Sequence, residues 1–257
     1  MTGSAAGRRV VAILGAGGAL GAAITARLAA EPDTDLVLSD LSEASLAATV
    51  AGIGAGDGSG AGDSAVETVL ADVSRFEQVE EVVARAVKRF GRLDVVISNA
   101  GVLSPNGRIH NLSTDDWERA FSVNVMGAVN AVKAAVAVMR PQGGGSIVLT
   151  ASVSGMTAWS HAAPYCVTKA GVIQLAKVAA VEYARDDIRV NCVCPGTFRS
   201  AIHDDLPEGA LDPVAARHPL GLGQATDVAG AYAYLASDAA RWTTGSALVV
   251  DGGYSAP

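Results

Sequence analysis

The sequence predicts an α/β fold: one domain over 1–257, built on a doubly wound parallel sheet of about seven strands with helices on both faces. Three observations carry this expectation. Strand-type and helical runs alternate along the whole chain, the order that winds a parallel sheet with right-handed crossovers. The strand runs, VVAIL at 10–14 among them, are nearly all apolar, as strands covered on both faces must be. Finally, 257 residues with 50% hydrophobic content suffice for a large core, and no internal linker or repeat interrupts them.

Residues 1–7 are expected to be disordered. The run at 10–14 leads into glycines, and DLVLSD at 35–40 is a second strand that ends on an acid. SEASLAATVAGI reads as a helix capped by Ser42, with Leu46, Val50 and Ile53 along one face. AGDGSGAGDS at 55–64 is too polar and flexible to pack, and reads as a surface loop within the domain. Periodic structure resumes with AVETVLADV. In FEQVEEVVARAVKRF, the side chains of Phe76, Val79, Val82, Val83, Ala86, Val87 and Phe90 share one helix face, and Gly91 ends the helix. Then follow a strand at 93–98, a long helix over about 114–139, a strand at 146–151, a helix at 164–184 and a strand at 188–194. An irregular stretch to about 224, a helix over 226–237 and the strand ALVVD close the chain.

The net charge of −7 offers no matching surface to nucleic acid or an anionic membrane. Cys166, Cys192 and Cys194 make no disulfide framework, and His110, His161, His203 and His218 share no ligand spacing. The expectation is a cytoplasmic protein without a metal, acting on a small molecule.

RRVVAILGAGGALGAAITARLAA at 8–30 admits two readings. Two arginines, 17 uncharged residues and a close on small residues outline a secretory leader. A strand, a glycine turn and a helix outline a phosphate cradle. In the second reading Gly15 permits the tight turn and Gly21 lets the helix approach the strand. The helix start, with Gly18, Ala19 and Leu20, turns its amides and positive dipole end to a pyrophosphate. Asp40 stands at the second strand's end, 19 residues after Gly21, where a carboxylate accepts hydrogen bonds from both hydroxyls of an adenosine ribose.

YCVTK sets Tyr165 and Lys169 four residues apart on one helix face. A phenol with a pKa of about 10 is a poor base at neutral pH. An ammonium about 4 Å away, at an effective dielectric near 20, would lower it by about three units into the range of a general acid/base. Ser152 precedes Tyr165 by 13 residues, at the carboxyl end of a strand, where such sheets bind ligands.

In order, LGAGGALG, ADV, SNAG, NVMG, Ser152, YCVTK, NCVCPG and VDGG span almost the whole chain. With this set the chain resembles the short-chain dehydrogenase/reductase family, which implies a Rossmann-type fold and settles the opening stretch as a cradle. By that resemblance Tyr165 is the general acid/base for a secondary alcohol or ketone. Lys169 lowers its pKa and holds the nicotinamide ribose, Ser152 bonds the reacting oxygen, and Asn124 holds a water. Asp72 and Val73 meet the adenine, Asn99, Ala100 and Gly101 line the adenosine side, and Pro195 and Gly196 pass the nicotinamide. The expected cofactor is NAD, because a 2′-phosphate would meet Asp40, at about 4 kcal/mol per charge pair. Leu41 and Gly18 stand where NADP-binding relatives carry a cation. Leu14 and Ala19 depart from the family's threonine and middle glycine.

Residues 197–222 are the expected substrate lid, with Phe198, Arg199 and His203 as contacts and Arg199 as a holder for a carboxylate. Trp159 and His161, between Ser152 and Tyr165, are further candidates. The helix at 164–184 is apolar all round, which points to a subunit interface, and the resemblance to a homotetramer. Two other readings are a 3-oxoacyl-thioester reductase using NADPH and a non-catalytic NAD-sensing regulator. The full set of Asn124, Ser152, Tyr165 and Lys169 argues against the regulator.

Overall fold

The computed structural model describes residues 7–54, 63–200, 209 and 211–256. Residues 1–6, most of the 55–64 loop and His203 lie outside them.

Nine strands occur among the described residues: β1 (Arg9–Leu14), β2 (Thr34–Asp40), β3 (Val66–Leu70), β4 (Val95–Ser98), β5 (Gly145–Thr150), β6 (Ile188–Pro195), β7 (Phe198–Arg199), β8 (Gly223–Gln224) and β9 (Ala247–Val250). Seven form one sheet in the order β3-β2-β1-β4-β5-β6-β9, and every neighbouring pair is parallel. β7 and β8, two residues each, pair separately; they fall in the stretch expected to be irregular, since two residues carry no periodicity.

The apolar strand runs have the predicted consequence. Val10, Ala12 and Leu14 of β1 enter one core, while Val11 and Ile13 enter the other. In β5, Ile147 and Leu149 oppose Val148 in the same way. One core lies under α3 (Phe76–Phe90), α5 (Gly127–Gln142) and α6 (Ala163–Tyr183), the other under α1 (Ala19–Ala29) and α8 (Ala225–Ala236). The doubly wound class is therefore what the chain adopts.

Local rules set the boundaries. α2 (Glu43–Ala51) starts where the Ser42 hydroxyl accepts the Ser45 amide at 3.1 Å. α3 buries Val79, Val82, Val83 and Ala86, and ends on Gly91, whose φ of +80° few other residues accept. α4 (Thr114–Ala120) runs into α5 through a π-helical stretch, Phe121–Met126, where the sequence predicts an unbroken helix. The apolar period alone does not reveal such a widened turn; the side-chain bonds of Asn124 described below accompany it. By length and composition Thr114–Gln142 is apolar enough to cross a membrane. Yet Ala131, Ala135 and Met139 are 0% exposed in the core over the sheet.

Candidate active site

The winding of the sheet reverses between β1 and β4, and open parallel sheets hold ligands at the carboxyl edge of that switch. Six strand ends deliver the sequence-named residues there. Gly15 follows β1, Asp40 ends β2, Asp72 and Val73 follow β3, Asn99 to Gly101 follow β4, Ser152 follows β5, and Pro195 with Gly196 closes β6.

The glycine turn is built for close approach. Gly15 has φ +83°, and a Cβ on it would stand 2.5 Å from the Ala100 amide nitrogen. A Cβ on Gly21 would lie 2.2 Å from the Gly15 carbonyl oxygen, so α1 seats on the strand only with glycine there. Gly18 caps α1 in an extended conformation, with nothing within 4 Å of its Cβ position. The amides of Ala19, Leu20 and Gly21 begin α1 and lack a carbonyl one turn back within it, which leaves a positive end beside the turn. This cradle fits a pyrophosphate. Asp40 aims into it: Oδ2 accepts the Gly17 amide at 2.9 Å and Oδ1 the Ser42 amide at 3.3 Å. Leu41 is 73% exposed. A cleft of about 260 Å³ beside the turn is lined by small uncharged residues, Gly18, Ala22, Ser45 and Thr49 among them, with no cation. Next along the edge, the Asp72 carboxylate takes bonds from the Ser74 hydroxyl and amide, which hold it below the usual carboxylate range. The buried Val73 gives its carbonyl to Asn130.

The reacting groups converge two strands away. Lys169 is 4% exposed; its Nζ donates to the Thr150 carbonyl at 2.8 Å and lies 5.7 Å from the centroid of the Tyr165 ring. Burial pulls the ammonium down to a pKa of about 8, against a weaker opposing pull from the thiols of Cys194 and Cys192. Burial pushes the Tyr165 phenol up, and its hydrogen bond with Ser152 pulls the other way. Helix spacing alone predicts a phenol lowered by the ammonium; here desolvation of the buried phenol sets the direction of its shift. Ser152 is 5% exposed, and its Oγ also accepts the Ser154 amide at 3.1 Å.

Asn124 is 2% exposed and its amide is committed to structure. Nδ2 donates to the Val102 carbonyl and to Thr168 Oγ1, both at 3.0 Å, and Oδ1 accepts the Val102 amide at 2.8 Å. Thr168 in turn donates to the Tyr165 carbonyl at 2.8 Å. The side chain thus ties the π-helical stretch through Thr168 to α6.

The substrate candidates divide. Trp159 stands beside Tyr165, ring centroids 6.3 Å apart, and meets the Tyr254 ring edge-on at 6.1 Å. His161 is exposed at φ +67° and contributes its carbonyl, which accepts the Gly107 amide at 2.9 Å. Phe198, partly buried, packs against the α1–α8 core. Arg199 is exposed opposite Gln224. Sequence reasoning missed Thr150 and Thr168, which hold Lys169 and Asn124. It also missed His218, 4% exposed, whose Nε2 accepts the Thr197 amide while Nδ1 meets the Val214 carbonyl. A polar residue buried at a strand end or loop start is the available signal, since such a group needs a partner.

Residues 15–255 match the family model described as enoyl-(acyl carrier protein) reductase. The cis-4-hydroxycyclohexanecarboxylate dehydrogenase of Sinomonas cyclohexanicum is 37% identical over 257 residues, 99% of each chain. The chain belongs to the short-chain dehydrogenase/reductase family. Among solved short-chain dehydrogenase/reductase folds, levodione reductase superposes with a TM-score of 0.88 at 33% identity, covering 96% of this chain and 98% of that one. ElxO with NADP bound gives the same TM-score at 28% identity, over 97% and 100% of the two chains. Short-chain dehydrogenase/reductases bind a nicotinamide cofactor, and this one is an oxidoreductase acting on CH–OH groups.

Proposed function

We propose that the enzyme is an NAD(H)-dependent dehydrogenase of a small secondary alcohol, or reductase of the matching ketone, with Tyr165 as general acid/base. The observation that carries this reading is the convergence of Ser152, Tyr165 and Lys169 beside a cradle shaped for pyrophosphate.

Gly15, Gly18, Ala19, Leu20 and Gly21 hold the pyrophosphate, Asp40 and Leu41 flank the adenosine ribose, Asp72 and Val73 the adenine, and Asn99, Ala100 and Gly101 the adenosine side. Pro195 and Gly196 pass the nicotinamide, which when bound supplies or accepts the hydride. Ser152 positions the substrate oxygen, and Tyr165 gives that oxygen its proton in reduction and takes it in oxidation. Lys169, oriented by the Thr150 carbonyl, favours the phenolate by its charge and holds the nicotinamide ribose. Asn124 holds a water of the proton relay, its side chain fixed by Val102 and Thr168. The 197–222 stretch serves as the substrate lid, with Arg199 on its surface. Trp159 offers the substrate an apolar ring face, and the name of the Sinomonas relative points to a hydroxyl on a cyclohexane ring.

The choice of NAD rests on Asp40. A 2′-phosphate would meet the carboxylate that holds Gly17, with no cation at Gly18 or Leu41 to offset it. In a screen of cyclic ketones, kcat/KM with NADH should exceed that with NADPH by about a hundredfold or more, given about 4 kcal/mol per like-charge pair. Asp40→Ala should weaken NADH and narrow the gap. Equal values for the wild type would overturn the assignment and favour the alternative of an NADPH-linked 3-oxoacyl-thioester reductase, a substrate class named for a 33% identical relative from Thermotoga maritima.

The assembly reading is a homotetramer. Val167, Val178 and Val181 on α6 are 47%, 44% and 81% exposed, an apolar face that the described residues do not cover. A mass near 25.9 kDa in light scattering would refute it.

A further inference from the structure

Thr150 ends β5 at the centre of the edge and serves two sites at once. Its carbonyl accepts the Lys169 ammonium at 2.8 Å. Its hydroxyl lies 3.2 Å from Asn99 Oδ1 and 2.7 Å from the Tyr232 hydroxyl. Asn99 Nδ2 donates to the Gly15 carbonyl at 2.8 Å. Proton inventory fixes every direction in this chain. A carbonyl only accepts, so Asn99 must turn its amide nitrogen to Gly15 and its oxygen to Thr150. Thr150 has one hydroxyl proton and must spend it on Asn99. Tyr232 is left as the donor to Thr150.

Tyr232 lies within α8 and is 0% exposed. Burial raises its phenol well above the usual range, so it keeps its proton at any working pH. We infer that Tyr232 is a positioning residue for the cofactor: its hydroxyl locks Thr150, Thr150 locks Asn99, and Asn99 holds the Gly15 carbonyl in the turn that receives the pyrophosphate. The inference rests on the cofactor site assigned above. It adds that cofactor affinity is set in part from α8, by a hydroxyl whose hydrogen-bond partner is Thr150. The relay meets the catalytic lysine at Thr150 through the main-chain carbonyl, so changes to the hydroxyl act on cofactor binding before they act on the proton transfer.

The test measures NADH affinity by fluorescence, KM for NAD against kcat, and the melting temperature. Tyr232→Phe keeps the ring and should raise the NADH dissociation constant about fivefold, with kcat changed less than twofold. Thr150→Val should raise it tenfold or more. Thr150→Ser, which keeps the hydroxyl, should stay within twofold of the wild type. The double variant Tyr232→Phe/Thr150→Val should bind like Thr150→Val alone, because Tyr232 acts only through that hydroxyl. A lower melting temperature with unchanged NADH affinity in Tyr232→Phe would overturn the relay and leave Tyr232 a packing residue. Effects that multiply in the double variant would overturn it as well. If Tyr232→Phe does not fold, equal affinities for Thr150→Val and Thr150→Ser overturn the relay. A wild type that binds no NADH at all overturns the cofactor reading and this inference together, whereas wild-type binding with an unaffected Tyr232→Phe sinks the inference alone.

Discussion

The two halves of the catalytic edge are made differently. On the β1–β4 side the site is mostly main chain: a left-handed glycine, a helix start and close backbone approaches measured against Ala100 and Gly15 itself. On the β5–β6 side it is side chain: a phenol, an ammonium, a serine hydroxyl and an aromatic pair on loops. Main-chain geometry is over-determined by the packing of strand on helix, so it allows little substitution. Side chains on loops can be exchanged without disturbing the sheet, which is how one fold hosts many substrates.

The sharpest test lies in the side-chain half. Tyr165→Phe should lower kcat by about a thousandfold or more, as loss of a general acid/base does, while NADH binding stays within a few-fold. Substantial turnover in that variant would remove Tyr165 from the mechanism.

A paired substitution then probes the contrast itself. Gly15→Ala forces a methyl against the Ala100 backbone at a φ of +83°, and should weaken NADH about a hundredfold and lower the melting temperature. Arg199→Ala, exposed on β7, should leave both unchanged and alter KM for ketones by a few-fold at most. If the arginine change matched the glycine change, the division of labour would fail.

The smallest effect is one of pH. Burial pulls Lys169 down to a pKa of about 8 when folded, against 10.5 for a free lysine side chain. Between those values the unfolded chain binds more protons, so this residue makes stability rise with pH across the window. The rise is at most about 3 kcal/mol at 1.36 kcal/mol per unit. Below pH 8 both states are protonated and the burial penalty is fully present. Urea unfolding at several pH values should show the rise in the wild type and not in Lys169→Met; identical slopes would mean that the ammonium is better solvated than its burial implies.

The same contrast explains what the amino-acid sequence makes legible. Repetitive features are readable: the two-faced alternation of β1, the Val79–Val82–Val83–Ala86 stripe, and the glycines whose spacing encodes the turn. The positions of Asp40, Ser152, Tyr165 and Lys169 are readable because each sits at a fixed offset from a strand end or along a helix turn. What escapes is settled by tertiary partners. The carboxylate of Asp40 spends itself on Gly17, the amide of Asn124 is consumed by Val102 and Thr168, and burial raises the Tyr165 phenol. The π-helical turn at Phe121–Met126 escapes for the same reason, since its residues are equally apolar in either winding.

The parallel register of the sheet also acts as a ruler. Leu14 pairs with Ser39 and Ser98, Ser98 with Leu149, and Thr150 with Val193, so the strand ends arrive at the edge nearly level. A slip of one residue in any strand would carry its end by about 3.3 Å and turn its side chains to the other face. Insertions and deletions should therefore be asymmetric across this molecule. They are tolerable in loops at the amino edge and lethal inside a strand. At the carboxyl edge they are a means of changing what the enzyme accepts.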